Sequence, residues 1–198
     1  MARKPSGGLT LTKKPVTKLV NTHHHIDHSG GNFLFRDAEI VSHAYCREEI
    51  ARTGIAVELL QKRIPRFAGE FGKLKLAAPQ VTFEDRLTFH QAGRAVELRH
   101  LGPAHTFGDA FVYLPKDKVV FAGDIAFYYV TPLAFQGHVG NWIKVADRIL
   151  KMDVETIVPG HGPIGGKKEL KEMRTYLVMI RREAKKRFDL GMTPEQAA

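Results

Sequence analysis

Three observations predict an α/β fold: a β-α-β-α succession over residues 16–64, a dense series of short β-like runs through the centre, and two amphipathic helical stretches near the C-terminal end. Residues 16–22, VTKLVNT, alternate and are rich in β-branched side chains, so they read as a strand that stops just before a histidine-rich stretch. SGGNFLFRD can begin a helix, and AEIVSH at 38–43 is a second strand. YCREEIARTGIAVELLQKRI reads as helical with a break near Gly54. QVTFE, RLTFHQ, RAVELRHLG, DAFVYLP and KVVFAGD then follow in quick succession, separated by Gly, Pro or Asp turn signals, so sheet dominates the centre. Over 141–153, Trp142, Val145, Ile149 and Met152 recur at helical spacing, and ETIVPG is a strand that runs straight into His161. Leu170, Leu177, Ile180 and Ala184 mark one face of a long helix over 167–188, an amphipathic cover for a sheet. Thr193, with Gln196 three residues on and Pro194 between them, forms a capping box that announces a helix with almost no chain left to build it.

With 198 residues and 43% apolar content, the chain is expected to form one domain over 1–198 with a core of its own. The net charge of +9 is terminal: residues 1–18 hold five Lys/Arg and no acid, and residues 167–187 hold nine against three. The middle is near neutral and offers no phosphate track, which argues against a nucleic-acid partner. No apolar run is long enough to span a membrane, and MARKPSGGLT has no apolar stretch behind its basic residues. We therefore expect a cytoplasmic, soluble protein acting on a small molecule, with its oligomeric state open. Cys46 is the single cysteine, so no intrachain disulfide can form, and its setting in VSHAYCREEI favours packing over nucleophilic chemistry. Any metal must be held by histidine and carboxylate.

VNTHHHIDHSGGN carries the chemistry. It packs four histidines and an aspartate into the six positions from His23 to His28. His23 and His25, two apart at a strand end, can project to one side, while Asp27 and His28 lie beyond the turn and can serve a neighbouring point. Catalytic zinc usually takes three protein ligands and an open position, so each point needs ligands from elsewhere. Three later segments share one form, a short apolar strand that ends at a turn and then a metal-capable residue: HLGPAHTFGD at His105, VVFAGD at Asp124 and TIVPGHG at His161. Gly102, Ala104, Gly123, Gly160 and Gly162 beside them let the backbone approach a crowded centre.

In combination, H-x-H-x-D-H, A-H-T-x-G-D, A-G-D and P-G-H-G resemble the metallo-β-lactamase-fold hydrolase superfamily over residues 16–190. The resemblance implies an αββα sandwich with two zinc ions, or alternatively iron or manganese, at one edge of its sheets. It implies that His23, His25 and His105 bind one ion, that Asp27, His28 and His161 bind the other, and that Asp124 bridges both. An aspartate at position 124 is similar to the glyoxalase II type rather than to β-lactamases with cysteine there. The family also opens with a hairpin and a strand ending in aspartate, for which nothing before Val16 has a counterpart. The chain is thus expected to lack outer elements at its N-terminal side and part of its C-terminal end.

The chemistry expected is hydrolysis of an ester, thioester or amide/lactam carbonyl by a hydroxide shared between the two metals. Asp27 and Asp124 would accept protons as the leaving group departs. Asp109 is expected to orient a ligand histidine, and His24 to face away into packing. His43, His90 and His100 are expected in structural or surface roles, and His138 is a candidate for the substrate cleft. Three other readings stand beside the hydrolase: a catalytically weak metal-binding fragment, a mononuclear iron enzyme resembling persulfide dioxygenases, and a nuclease of the same superfamily. The last has no room for its usual clamp domain.

Overall fold

Short β-branched runs become parallel strands in the first part of the chain. The computed structural model describes residues 14–197, which divide into two units, one up to Glu84 and one from Asp85 onward. The expectation that the segment before Val16 lacks the opening hairpin falls, for residues 1–13, outside the described residues.

In the first unit, β1 (Lys18–Val20) leads through the short helix α1 (Ile26–Ser29) and a single 3-10 turn at Asn32–Leu34 to β2 (Glu39–His43). Helices α2 (Ala44–Thr53), α3 (Val57–Arg63) and α4 (Ala68–Phe71) then precede β3 (Val81–Phe83). The three strands form a parallel sheet in the order β1-β2-β3, with Leu19 opposite Ile40 and Val41 opposite Val81. Helical crossovers make parallel pairing possible, and β2, the central strand, is accordingly buried from Ile40 to His43. Gly54 ends α2 at a φ of +61°, which produces the break expected in the second helical stretch. SGGNFLFRD, by contrast, yields only the 3-10 turn, because Gly30 and Gly31 disfavour propagation of a helix. His43 caps α2, its Nδ1 accepting from the Tyr45 amide at 3.2 Å, which is the structural role expected for it.

The second unit holds β4 (Arg86–Gln91), β5 (Arg94–Arg99), β6 (Phe111–Leu114) and β7 (Val119–Phe127), then α5 (Val139–Leu150), β8 (Thr156–His161), α6 (Lys167–Asp189) and α7 (Pro194–Ala197). The sheet runs β4-β5-β6-β7-β8, antiparallel until β8 returns parallel to β7 after the α5 crossover. Ala92 and Gly93, both at positive φ, make the two-residue turn that suits the twist of the β4–β5 hairpin. Phe111, Val120, Ile125, Trp142, Ile149, Ile157 and Leu170 fill the core between this sheet and α5 and α6.

The stripe expected on the last long helix covers its sheet for only part of its length. Leu170, Met173 and Leu177 are buried, whereas Ile180 and Ala184 face solvent. The capping box forms as read: the Thr193 amide donates to Gln196 Oε1 at 2.9 Å, and the Gln196 amide to Thr193 Oγ1 at 3.3 Å. Among the described residues no helix is long and apolar enough to cross a membrane.

Candidate metal centre

Each unit brings together part of the predicted ligand set. In the first, β1 delivers the chain to Asn21, whose side chain makes a reciprocal amide pair with Asn32 at 2.9 and 2.8 Å. Asn32 also donates to the Ala77 carbonyl at 2.9 Å, and the Asn21 amide to the Val41 carbonyl at 2.9 Å. Both ends of the histidine segment are therefore tied to the same buried point. Asn32→Ala is expected to cost about 2 kcal/mol, since it leaves the Asn21 amide and the Ala77 carbonyl unmatched, and urea unfolding reads the loss.

Between these ties the imidazoles crowd. The buried ring of His23 lies 4.7 Å from that of His25 and 4.3 Å from that of His28, centroid to centroid. Asp27 and His28 do not sit on an open loop but on α1, where Asp27 Oδ2 is 3.1 Å from His28 Nε2. The α1 turn is fixed by Ser29 Oγ, which donates to the carbonyls of His24 and His25 at 3.0 Å each. Thr22 Oγ1 stands 3.2 Å from His23 Nδ1, a contact that orients the ring. His24 is directed toward α2, with its ring 6.3 Å from that of Tyr45.

In the second unit two of the predicted ligands, His105 and His161, converge on a third, Asp124. This carboxylate is buried in β7, and its Oδ2 lies 3.2 Å from His105 Nε2 and 3.5 Å from His161 Nε2. Two glycines make the approach possible. A Cβ on Gly160 would stand 1.9 Å from Asp124 Oδ1, and one on Gly162, at φ +100°, would stand 2.0 Å from the Tyr128 carbonyl oxygen.

The His105 ring also bears on what the site could hold. Its Nδ1 lies 2.8 Å from the Leu133 carbonyl oxygen, which can only accept, so Nδ1 carries a proton. In the neutral ring Nε2 is then a lone pair aimed at a carboxylate oxygen 3.2 Å away. Two electron-rich atoms that close require a cation or a proton between them, and the imidazole–carboxylate donor set suits a divalent transition metal.

Asp109 acts on this loop differently from the expectation. It does not orient the His105 ring, which the Leu133 carbonyl does; Asp109 instead gathers the backbone on either side of it. Its Oδ2 accepts from the amides of Ala104 at 3.2 Å and Thr106 at 2.7 Å, and its Oδ1 accepts from Thr106 Oγ1 at 2.8 Å. Burial raises its pKa to about 7, against the lowering effect of those same hydrogen bonds. Asp109→Ala is expected to destabilise the protein by about 2–3 kcal/mol by stranding buried donors. A buried carboxyl with a raised pKa binds its proton more tightly in the folded state. Metal-free protein should therefore lose stability as pH rises from 3.8 to about 7, a slope that Asp109→Ala removes in pH-dependent unfolding.

Sequence reasoning missed the aromatic wall beside these ligands. Phe127 stacks on His161 at 5.2 Å and lies 5.5 Å from His105; Trp142 lies 5.5 Å from His105 and donates its indole N–H to the Ile125 carbonyl at 2.9 Å. In the sequence Trp142 reads only as part of a helical stripe. His138, a candidate for the cleft, is instead the α5 cap, with Nδ1 accepting from the Asn141 amide at 3.0 Å. His100 Nδ1 contacts the Asp109 carbonyl oxygen at 2.6 Å, His90 is exposed, and Cys46 is buried, in agreement with structural or surface roles for all three.

A family model described as the metallo-beta-lactamase superfamily matches residues 8–161. The chain is 30% identical over 155 residues to the 2,4-dinitroanisole O-demethylase subunit alpha of Nocardioides sp. (strain JS1661), covering 75% of this chain and 41% of that protein. It is 29% identical over 145 residues to the hydroxyacylglutathione hydrolase of Rhodospirillum rubrum, covering 72% and 46%. Among solved structures, a metallo-beta-lactamase from Pontibacter korlensis aligns with a TM-score of 0.63 at 24% identity, over 83% of this chain and 70% of that one. This last likeness establishes the fold. The chain spans less than half the length of the two curated relatives named.

Proposed function

The chain belongs to the metallo-β-lactamase superfamily, and from that premise we propose that it is a metal-dependent hydrolase with two cations, zinc in the first instance, acting on a small molecule. His23, His25 and His105 would hold one cation, Asp27, His28 and His161 the other, and Asp124 would serve both. The observation that supports the reading is that Asp124 Oδ2 lies 3.2 and 3.5 Å from the Nε2 atoms of His105 and His161, one from each proposed set. Divalent cations bound there supply Lewis acidity: they bring the ionisation of water toward neutral pH and polarise a carbonyl.

The chain's own groups do the rest. Asp124, with a side chain only 3% exposed, is sealed and suited to holding charge in place. Asp27 is 53% exposed, so its carboxylate can meet a substrate and take up a proton as the leaving group departs. Phe127 and Trp142 exclude water from the His105 side of the site and thereby strengthen each electrostatic contact within it. Esters, thioesters and amide or lactam carbonyls are the substrates this arrangement suits.

Metal analysis of the full chain, coupled to a hydrolysis panel of those carbonyl classes, tests the reading. Two cations per chain with turnover are expected. A single iron with oxygen uptake would move the protein to a dioxygenase chemistry, and a folded protein that takes up no metal would end the hydrolase reading.

A further inference from the structure

The first unit contains a basin of about 1170 Å³ that the reaction as described leaves unused. Phe33, Leu34, Leu60, Ile64, Phe71 and Leu74 supply its apolar lining, and Leu34 and Ile64 remain 37% and 41% exposed although they belong to this lining. Asp27 lines the same basin, so the apolar surface is continuous with a residue of the proposed metal set. Arg36, Lys73 and Lys75 also line it, against Glu70 and Asp27. Residues 20–84 as a whole balance eight Lys/Arg against eight Asp/Glu, so this cationic excess is local to the basin. Arg36 and Lys75 line a second cavity as well, of about 400 Å³, which shares Phe33 with the first.

We propose that this basin is the acyl-binding surface of the site, and that the substrate is an acyl ester or thioester with a medium-length apolar chain and an anionic group. The inference rests on the hydrolase reading for its chemistry, but on the basin alone for its specificity. The scissile carbonyl lies at the Asp27 end, the chain crosses the apolar lining, and the negative charge meets Arg36, Lys73 and Lys75. Each methylene taken out of water favours binding, while a bare apolar surface of this size would otherwise stand against solvent.

Gly31 provides a clean variant. It lines the basin at φ −83°, and a Cβ added there meets nothing within 4 Å, so Gly31→Leu can begin a side chain there without a backbone clash. The binding test uses the full chain with octanoate, octylamine and butyrate as probes that cannot be hydrolysed. Octanoate is expected to bind at least about tenfold more tightly than either of the others. Gly31→Leu should weaken octanoate about tenfold, and Lys73→Glu with Lys75→Glu should invert the preference between octanoate and octylamine. In turnover, kcat/KM should rise about two- to fourfold per methylene from acetyl to octanoyl esters. Gly31→Leu should flatten that rise.

Equal binding of octanoate and butyrate, or of octanoate and octylamine, overturns the proposal. So does a kcat/KM that is flat with chain length, an outcome that leaves the hydrolase reading standing. Absence of turnover on every ester, with octanoate selectivity intact, removes the hydrolase reading and upholds the basin as an acyl-binding surface.

Discussion

Asp124→Asn is expected to lower kcat/KM about a thousandfold, roughly 4 kcal/mol of transition-state stabilisation, while the protein stays folded. Asparagine matches aspartate in shape but contributes no charge. Asp124 Oδ2 sits against two imidazole Nε2 atoms, so the neutral variant relieves any electrostatic strain of the metal-free site and, on the proposed reading, removes the anion the two cations would share. Metal content should fall from two per chain to one or fewer, measured together with activity. Thermal unfolding of the metal-free variant should match or exceed that of the metal-free parent. An unchanged rate in the folded variant would remove the bridging role, and asparagine is the replacement to make because it keeps the shape of the side chain.

Gly160→Ala is expected to disrupt the same site through shape alone. The added methyl would stand 1.9 Å from Asp124 Oδ1, 2.8 Å from the Gly123 carbonyl carbon and 2.9 Å from the Asp124 amide. Two of those three neighbours are backbone, so rotation of the Asp124 side chain cannot make the room, and β7 must part from β8. Overpacking of a close-packed region costs about 1–3 kcal/mol in ordinary cores, and this position belongs at the upper end. The expected result is a loss of about 3 kcal/mol in urea unfolding together with at least a hundredfold loss of activity. Gly31→Ala is the matched control, with open space around its added methyl and an expected change within about 0.5 kcal/mol.

Much of this molecule is written locally. α5 was legible because Trp142, Val145 and Ile149 recur at the helical period, and all three are buried. The strands from β4 to β8 were legible because turn residues bracket each of them. Gly54 was legible as a break because a glycine at +61° is what ends α2. The ligand half-sets were legible for a similar reason: His23, His25 and His105 follow strands within a few residues, His161 ends β8 and Asp124 lies inside β7, and strands are easily read.

What escaped depends on partners distant in sequence. Asn21 and Asn32 look like ordinary loop residues until they face each other. Asp109 looks like a histidine's partner because it is four residues from His105, yet the carbonyl that orients the ring belongs to Leu133, twenty-eight residues away. His138 sat in a glycine-rich loop that suggested a cleft, and only the geometry of the Asn141 amide shows that it caps a helix. The end of the α6 stripe was hidden for another reason: Ile180 keeps the spacing of Leu177, but periodicity does not say where the surface beneath a helix stops.

The amide clasp between Asn21 and Asn32 has a consequence for the life of the protein with and without its ions. A segment fastened at both ends by uncharged groups has already surrendered its conformational freedom, so capture of a cation need not spend binding energy on ordering it. Chelators would then strip charge from the histidine cradle and leave its outline standing, ready for reloading by whichever ion arrives first. Selection among competing metals would fall to their abundance and ligand preference rather than to any refolding of the cradle.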